Sequence, residues 1–214
     1  MLMPAACKED FHDRLLAVVF LVVIFLGALF AATRVDASVD ARTHARQPSK
    51  TQLVRLHMLR PYIDYFTSLT YGPNNVRVSP DYLMALILTE SGGDHWAHSR
   101  MGARGLTQIM PATARRAVAE IADQGGDYLY IDERMFDDFS ADHLYEPAVN
   151  LLIACHLSAT YHDRFDGRTD LVAAAWNAGP GSVADNQPPP YVETRDLIDR
   201  VLAYMEFFAS VSAP

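Results

Sequence analysis

The chain has 214 residues, half of them hydrophobic and 21% charged, with a formal net charge of -8. This is enough apolar material for one good core with appendages and too much for a disordered chain. The acidic balance, with a pI near 5.4 and no cluster of Lys or Arg, argues against nucleic acid as a partner and against any general attraction to anionic lipid.

The first segment with a character of its own is LLAVVFLVVIFLGALFAA, Leu15 to Ala32, which carries no charge. It reaches the length of a short transmembrane helix and exceeds the apolar core of an ordinary signal peptide. Two outcomes stay open: an anchor in the inner membrane, or a signal peptide cleaved after Val35-Asp36-Ala37, whose residues 35 and 37 are small. Lys8 and Arg14 before the run, and Arg34, Arg42, Arg46 and Lys50 after it, leave its orientation unset. Either outcome predicts a periplasmic, secreted or membrane-anchored protein. Residues 1–37 are therefore read as signal peptide or anchor, 38–50 as a polar linker and 51–214 as the globular domain. Cys7 and Cys155 fall on opposite sides of the apolar run, so no internal disulfide is expected, and Cys155 in NLLIACHL reads as a buried structural thiol.

Beyond the linker, helical signals dominate. TQLVRLHMLRPYIDYFTSL puts Leu53, Leu56, Leu59, Ile63 and Phe66 near one face, with a start or kink at Pro61. In SPDYLMALILTESGG, Ser79 is placed to cap, Pro80 to occupy the first helical position and Asp81 to sit in the first turn, while Gly92-Gly93 ends the helix. Further helices are predicted from Pro111 to about Ala122, from Pro147 to about Phe165, from Asp170 to about Asn177, and from near Glu193 with Leu197, Val201, Tyr204, Met205 and Phe208 at helical spacing. DYLYIDERMF, Asp127 to Phe136, has a strand-like flavour but lies among Gly and Asp residues and reads as loop. The predicted fold class is mostly α, with long loops after the second and third helices.

One residue stands out within this pattern. Glu90 follows the apolar run Leu83 to Thr89 and sits at the negative end of its helix macrodipole, so both low polarity and the dipole favour its protonated form. A carboxylic acid kept neutral near physiological pH is what a general acid requires, and glycosidic cleavage is its commonest use. Asp94, Asp127 and Glu193 are other carboxylates, but their spacing recommends none of them as its partner.

The sequence following Glu90 resembles the catalytic signature of the family 1 lytic transglycosylases, of the soluble-lytic-transglycosylase type. Glu90-Ser91 is followed, after a loop of the expected length, by Gly102-Ala103-Arg104-Gly105-Leu106-Thr107-Gln108-Ile109-Met110-Pro111. EPAVNL at Glu146 to Leu151, AAAWNAGPGSV at Ala173 to Val183 and YVETRDLIDRVLAY at Tyr191 to Tyr204 are similar to three further blocks of the family, in the same order. The resemblance implies a lysozyme-like helical domain that cleaves peptidoglycan between N-acetylmuramic acid and N-acetylglucosamine and leaves 1,6-anhydromuramic ends. It implies Glu90 as the single acid and base, no metal and no cofactor.

The same resemblance implies that Ser91 hydrogen-bonds substrate or Glu90, that Gln108 and Met110 line sugar subsites, that Asn177 positions the acid or an N-acetyl group, and that Glu193 contacts substrate. Met110 reads equally as core, and Glu193 equally as a helix cap. Trp176 stands where the family usually has Tyr; its indole can still donate one hydrogen bond and stack on a sugar. Leu197 also replaces a usual Tyr, and Gly93-Asp94 a usual Phe-Asn pair. His95 and His98 lack the further ligands a metal would need. Trp96 has two readings, a sugar-stacking residue or a surface anchor. The expected partners are peptidoglycan glycan strands, the membrane through residues 15–32, and a cell-envelope machine. The alternatives kept are a goose-type muramidase, which would need a second acid to hold water, and a non-catalytic glycan-binding scaffold of a secretion or pilus machine.

Overall fold

The computed structural model describes residues 47–212. The apolar run 15–32 and the proposed cleavage site lie outside these residues, and among the described residues no helix is long and apolar enough to cross a membrane. Seven α-helices follow in order: α1 Lys50–Ser68, α2 Pro80–Glu90, α3 Pro111–Gln124, α4 Arg134–Asp137, α5 Pro147–Arg164, α6 Thr169–Ala178 and α7 Val192–Ser212, with a 3-10 turn at Ala141–Tyr145 before α5. Among the described residues there are no strands, but isolated bridges pair Tyr71 with Val76, His98 with Arg104, Arg104 with Ile109, and Ala184 with Gln187.

The helix starts follow from local chemistry. Ser49 caps α1 in a reciprocal box with Gln52: each backbone N–H donates to the other's side chain, satisfying donors that the first turn leaves orphaned. Ser79 Oγ accepts from Tyr82 N–H at the head of α2, with Pro80 in the first turn. Pro111 and Pro147 likewise open α3 and α5, where a missing N–H costs nothing.

Pro61 does not start a helix, because α1 runs through it from Lys50 to Ser68. Pro61 and His57, whose carbonyl loses its donor, are both exposed, so solvent can take the freed carbonyl. Leu53 is another correction: it is 39% exposed, and Thr67 is buried on that helix instead. The stretch 127–136 is loop as expected, apart from its short α4, which buries Met135.

Two helices form the centre. α2 is buried continuously from Tyr82 to Thr89 and α5 from Ala148 to Ala159, so neither shows the solvent face of an amphipathic surface helix. α2 packs against α1 and α7, while α5 packs against α1, α3 and α6. Ile63, Phe66, Leu83, Leu86, Ile87, Leu151, Leu152 and Ile153 are among the fully buried side chains, each contributing about 1.5–3 kcal/mol of apolar transfer. Cys155 is buried and free, its thiol pushed up to about 12 by burial, as a structural thiol should be. This frame fixes the C-terminal end of α2, where Glu90 sits.

Replacing Pro61 by Ala restores an N–H in mid-helix at an exposed position. It is expected to raise the unfolding free energy by about 1–3 kcal/mol, read as a higher urea midpoint at unchanged slope; an unchanged or lower midpoint would contradict the account of α1.

Candidate active site

Glu90 is the last residue of α2 and is partly buried. Burial pushes its carboxyl up from 4.5 to about 7. The Arg200 guanidinium and the Trp176 indole N–H oppose this by favouring the ionised form, and the Glu193 carboxylate adds to it by like-charge repulsion. Desolvation therefore outweighs the cation, and the acid carries a proton for much of the neutral range.

The polypeptide after Glu90 folds back to enclose that end of α2. Ser91 Oγ contacts Leu106 O at 2.7 Å and Ile87 O at 3.2 Å, and accepts from Gly93 N–H. Its one proton thus serves the loop and the helix end, so the hydroxyl acts in building the site. Gly93 lies at φ 80 against α1, where an added Cβ would stand 2.9 Å from Arg55 Cβ. That approach leaves no room for a side chain at this position.

Asn150 anchors the returning strand of the loop. Its side chain is fully buried; Oδ1 accepts from Thr107 N at 3.1 Å and Thr107 Oγ1 at 2.7 Å, and Nδ2 donates to Leu144 O at 2.9 Å and Arg104 O at 3.2 Å. Every polar capacity of the amide is used. Gly105 passes so close that a Cβ would meet Leu144 O at 2.0 Å and Asn150 Nδ2 at 2.4 Å, at φ 79. Only glycine fits this crossing. Gln108 holds a left-handed φ of 51, and its Nε2 donates to Gly105 O at 2.9 Å and Ala97 O at 3.1 Å. These bonds offset the cost of that conformation. Thr107 then presents its carbonyl to Trp176, whose Nε1 donates to it at 3.2 Å; the same N–H lies within reach of the Glu90 carboxyl.

A cavity of about 450 Å³ opens beside this loop, lined by Gln108, Met110, Trp176 and Asn177, with Arg116 and Glu120 also on its wall. Glu90 is not on that lining; Trp176 connects the two, lining the cavity and favouring the ionised form of the carboxyl. Met110 is 42% exposed, so it is a wall residue and not core. Asn177 Oδ1 accepts from the buried Thr194 hydroxyl at 2.6 Å, which orients its amide and ties the end of α6 to the start of α7. Tyr161 meets the Trp176 ring edge to face at 6.5 Å.

The predicted residues thus gather in two groups. Gln108, Met110, Trp176 and Asn177 share the cavity, while Glu90 and Ser91 share the helix end, and Glu193 stands exposed in the first turn of α7. Of the other carboxylates considered, Asp94 Oδ1 accepts from Trp96 N–H within its own loop and Asp127 is exposed. Glu193 is the one whose charge reaches Glu90. Leu197 is buried and brings no polar group to the site.

Sequence reasoning missed Asn150, Thr107, Thr194 and Arg200. A lone Asn inside the apolar run AVNLLIAC was a signal for Asn150, since a buried amide must be satisfied. Arg200 lies two turns after Glu193 on the same helix, a spacing that puts both on one face. His95 and His98 turn their Nδ1 atoms to Tyr145 O at 2.9 Å and Tyr145 Oη at 3.2 Å. Among the described residues no cluster of three His, Cys, Asp or Glu could hold a metal ion.

Fold and site together define a helical domain organised around one partly buried acid at a helix end. Residues 72–194 match the family model described as Transglycosylase SLT domain, and the chain belongs to that family. The soluble lytic murein transglycosylase of Salmonella typhimurium is 31% identical over 163 residues, 69% of this chain and 23% of the relative. That of Escherichia coli K12 is 29% identical over 161 residues, with the same coverage. The chain thus spans about a quarter of the length of these curated relatives. Among solved structures, the 70 kDa soluble lytic transglycosylase of Escherichia coli aligns with a TM-score of 0.56 at 26% identity, covering 70% of this chain and 24% of that one. An inactive glutamate-to-glutamine mutant of Slt from Pseudomonas aeruginosa aligns at 0.51 and 28%, covering 64% and 22%.

Two outcomes follow from this geometry. Asn150→Leu keeps the volume but strands the Thr107 N–H and the Arg104 and Leu144 carbonyls, and is expected to cost about 3–5 kcal/mol, measured by urea unfolding; a loss below about 1 kcal/mol would contradict the anchoring role. Glu90 has a folded pKa above its unfolded one, so its contribution favours folding below about pH 4.5 and is lost as pH rises through about 7. Glu90→Gln should therefore exceed wild-type stability by about 2 kcal/mol at pH 8, with the gap closing towards pH 4. Equal stability at pH 8 would show that the carboxyl is not raised.

Proposed function

We propose that this chain is a peptidoglycan lytic transglycosylase, with Glu90 acting as acid and then as base. The observation that carries this reading is one partly buried carboxyl, raised to about 7, at the point where the family signature places its acid. The protonated Glu90 gives its proton to the glycosidic oxygen between N-acetylmuramic acid and N-acetylglucosamine. As the bond from that oxygen to the anomeric carbon breaks, the substrate's own N-acetyl oxygen supports the carbon. Glu90, now a carboxylate, takes the proton of the muramyl C6 hydroxyl, and O6 bonds to the anomeric carbon. The 1,6-anhydro ring closes, the acid regains its proton, and no water is consumed.

The surrounding groups divide the work. Burial holds the proton on Glu90 before the reaction, and the Arg200 charge and the Trp176 N–H stabilise the carboxylate that forms. Gln108, Met110, Trp176 and Asn177 hold sugar in the cavity, with Asn177 oriented by Thr194 and Glu193 reaching the strand from α7. Ser91 contributes by fixing the loop. The relatives' names as murein transglycosylases support this substrate, and the inactivity of a glutamate-to-glutamine variant of the Pseudomonas aeruginosa lytic transglycosylase supports a glutamate as the working acid. The site of action is the periplasm, reached by export or anchoring through residues 15–32. Hydrolysis is the second reading, favoured by the charge of Glu193 near Glu90, since a second acid could hold water.

Mass spectrometry of the soluble products from purified peptidoglycan tests both. The full chain is expected to release muropeptides ending in 1,6-anhydromuramic acid, and Glu90→Gln to lower the rate by about 10²–10⁴. Reducing ends would establish hydrolysis, and no release by either protein would sink the enzyme reading. The value of kcat/KM should fall above about pH 7 as Glu90 in the free enzyme loses its proton.

A further inference from the structure

The loop that follows α2 carries an exposed aromatic group that is not part of the cavity lining. Trp96 is 66% exposed, far more than a large aromatic needs for packing. Its ring lies 5.4 Å from Tyr145, with planes inclined by 39°, and 4.8 Å from His95, inclined by 42°. Tyr145 is itself held at several points: its carbonyl meets His95 Nδ1 at 2.9 Å, its hydroxyl meets His98 Nδ1 at 3.2 Å, and the Arg104 guanidinium stands 5.6 Å from its ring centre. Trp96 N–H donates to Asp94 Oδ1 at 3.0 Å. The indole is thus mounted on fixed neighbours and displayed to solvent, with Asp94, His95 and His98 as a polar surround.

A flat aromatic face with hydrogen-bonding groups beside it complements a pyranose ring, which pairs an apolar C–H face with a hydroxyl edge. The net charge of -8 disfavours the two other natural occupants of an exposed aromatic, a second copy of the chain and an anionic lipid surface. Continuity with the site points the same way. Ala97, the next residue, accepts from Gly105 N at 2.9 Å and from Gln108 Nε2 at 3.1 Å through its carbonyl, and Gln108 lines the cavity. Two hydrogen bonds therefore tie the platform to the cavity wall.

We infer that Trp96, backed by Tyr145 and His95, is a saccharide-stacking platform that holds a ring of the glycan strand outside the cavity. This rests on the glycan reading given above. A strand long enough to reach both places is gripped twice, whereas a short one fills the cavity alone.

Isothermal titration of the full chain carrying Glu90→Gln, with uncharged β-1,4-linked N-acetylglucosamine hexamer and trimer as probes, separates the two regions. Trp96→Ala is expected to weaken hexamer binding about tenfold and to leave the trimer within about twofold, while Trp96→Phe recovers most of the loss. Thermal unfolding of Trp96→Ala should match its parent, since the indole buries little. Equal loss for both oligomers, no loss for either, or no hexamer binding by the parent would overturn the platform. So would sedimentation showing a Trp96-dependent dimer, or Trp96-dependent binding to anionic vesicles. The two readings fail separately: wild type that releases anhydro products while Trp96→Ala binds hexamer normally removes only the platform. Trp96-dependent hexamer binding by a chain that releases no products removes only the enzyme reading.

Discussion

The buried amide of Asn150 is the constraint on which the site depends. A fully enclosed primary amide is costly unless each of its hydrogen-bonding positions is used. Here all are used within the protein: Oδ1 on Thr107, Nδ2 on Arg104 and Leu144. Those four bonds fix the path of 104–107 over α5 and force glycine at 105, because the crossing leaves no space for a Cβ. Once that path is set, Leu106 O is placed for Ser91, Thr107 O for Trp176, and Gly105 O for Gln108. A signature that reads in sequence as a string of separate requirements is, in space, one hydrogen-bonded object.

Glu90 sits beside that object at the end of α2, and burial of its carboxyl raises its pKa against the pull of Arg200 and Trp176. The opposing groups limit the rise, so that the carboxyl comes to rest near 7. Trp176 stands where the resemblance implied a Tyr. An indole has a single N–H, and it is shared between a carbonyl that positions it and a carboxyl that it tunes. Leu197 makes no such replacement, as its side chain joins the core.

Much of this was legible in the sequence, and for physical reasons. Ser79, Pro80 and the glycines at 92 and 93 punctuate α2 through capping and backbone freedom, which are local properties, so its limits and the position of Glu90 could be read directly. The same holds for α3 and α5, opened by prolines. The short α4 and the 3-10 turn were not legible, because four- and five-residue helices are maintained by what they pack against and leave no periodic signal. Pro61 could not be told apart as start or interior, because a helix continues through a proline only where the freed carbonyl finds solvent, a tertiary fact. The cavity residues could be named, but the division of roles could not. The contact of the Ser91 hydroxyl with Leu106 O has no sequence signal, and Arg200 acquires meaning only when α7 is laid against α2.

The central claim is that burial at the end of α2 keeps Glu90 protonated into the neutral range. The most direct test is to titrate that carboxyl itself, by following the ¹³Cδ resonance of Glu90 in the glutamate-labelled full chain across pH 3 to 9, assigned by its absence in Glu90→Gln. A midpoint near 7 is the predicted result. A midpoint near the ordinary glutamate value of 4.5 would mean that the acid is solvated, and the account of Glu90 as a buried, protonated carboxyl would be wrong.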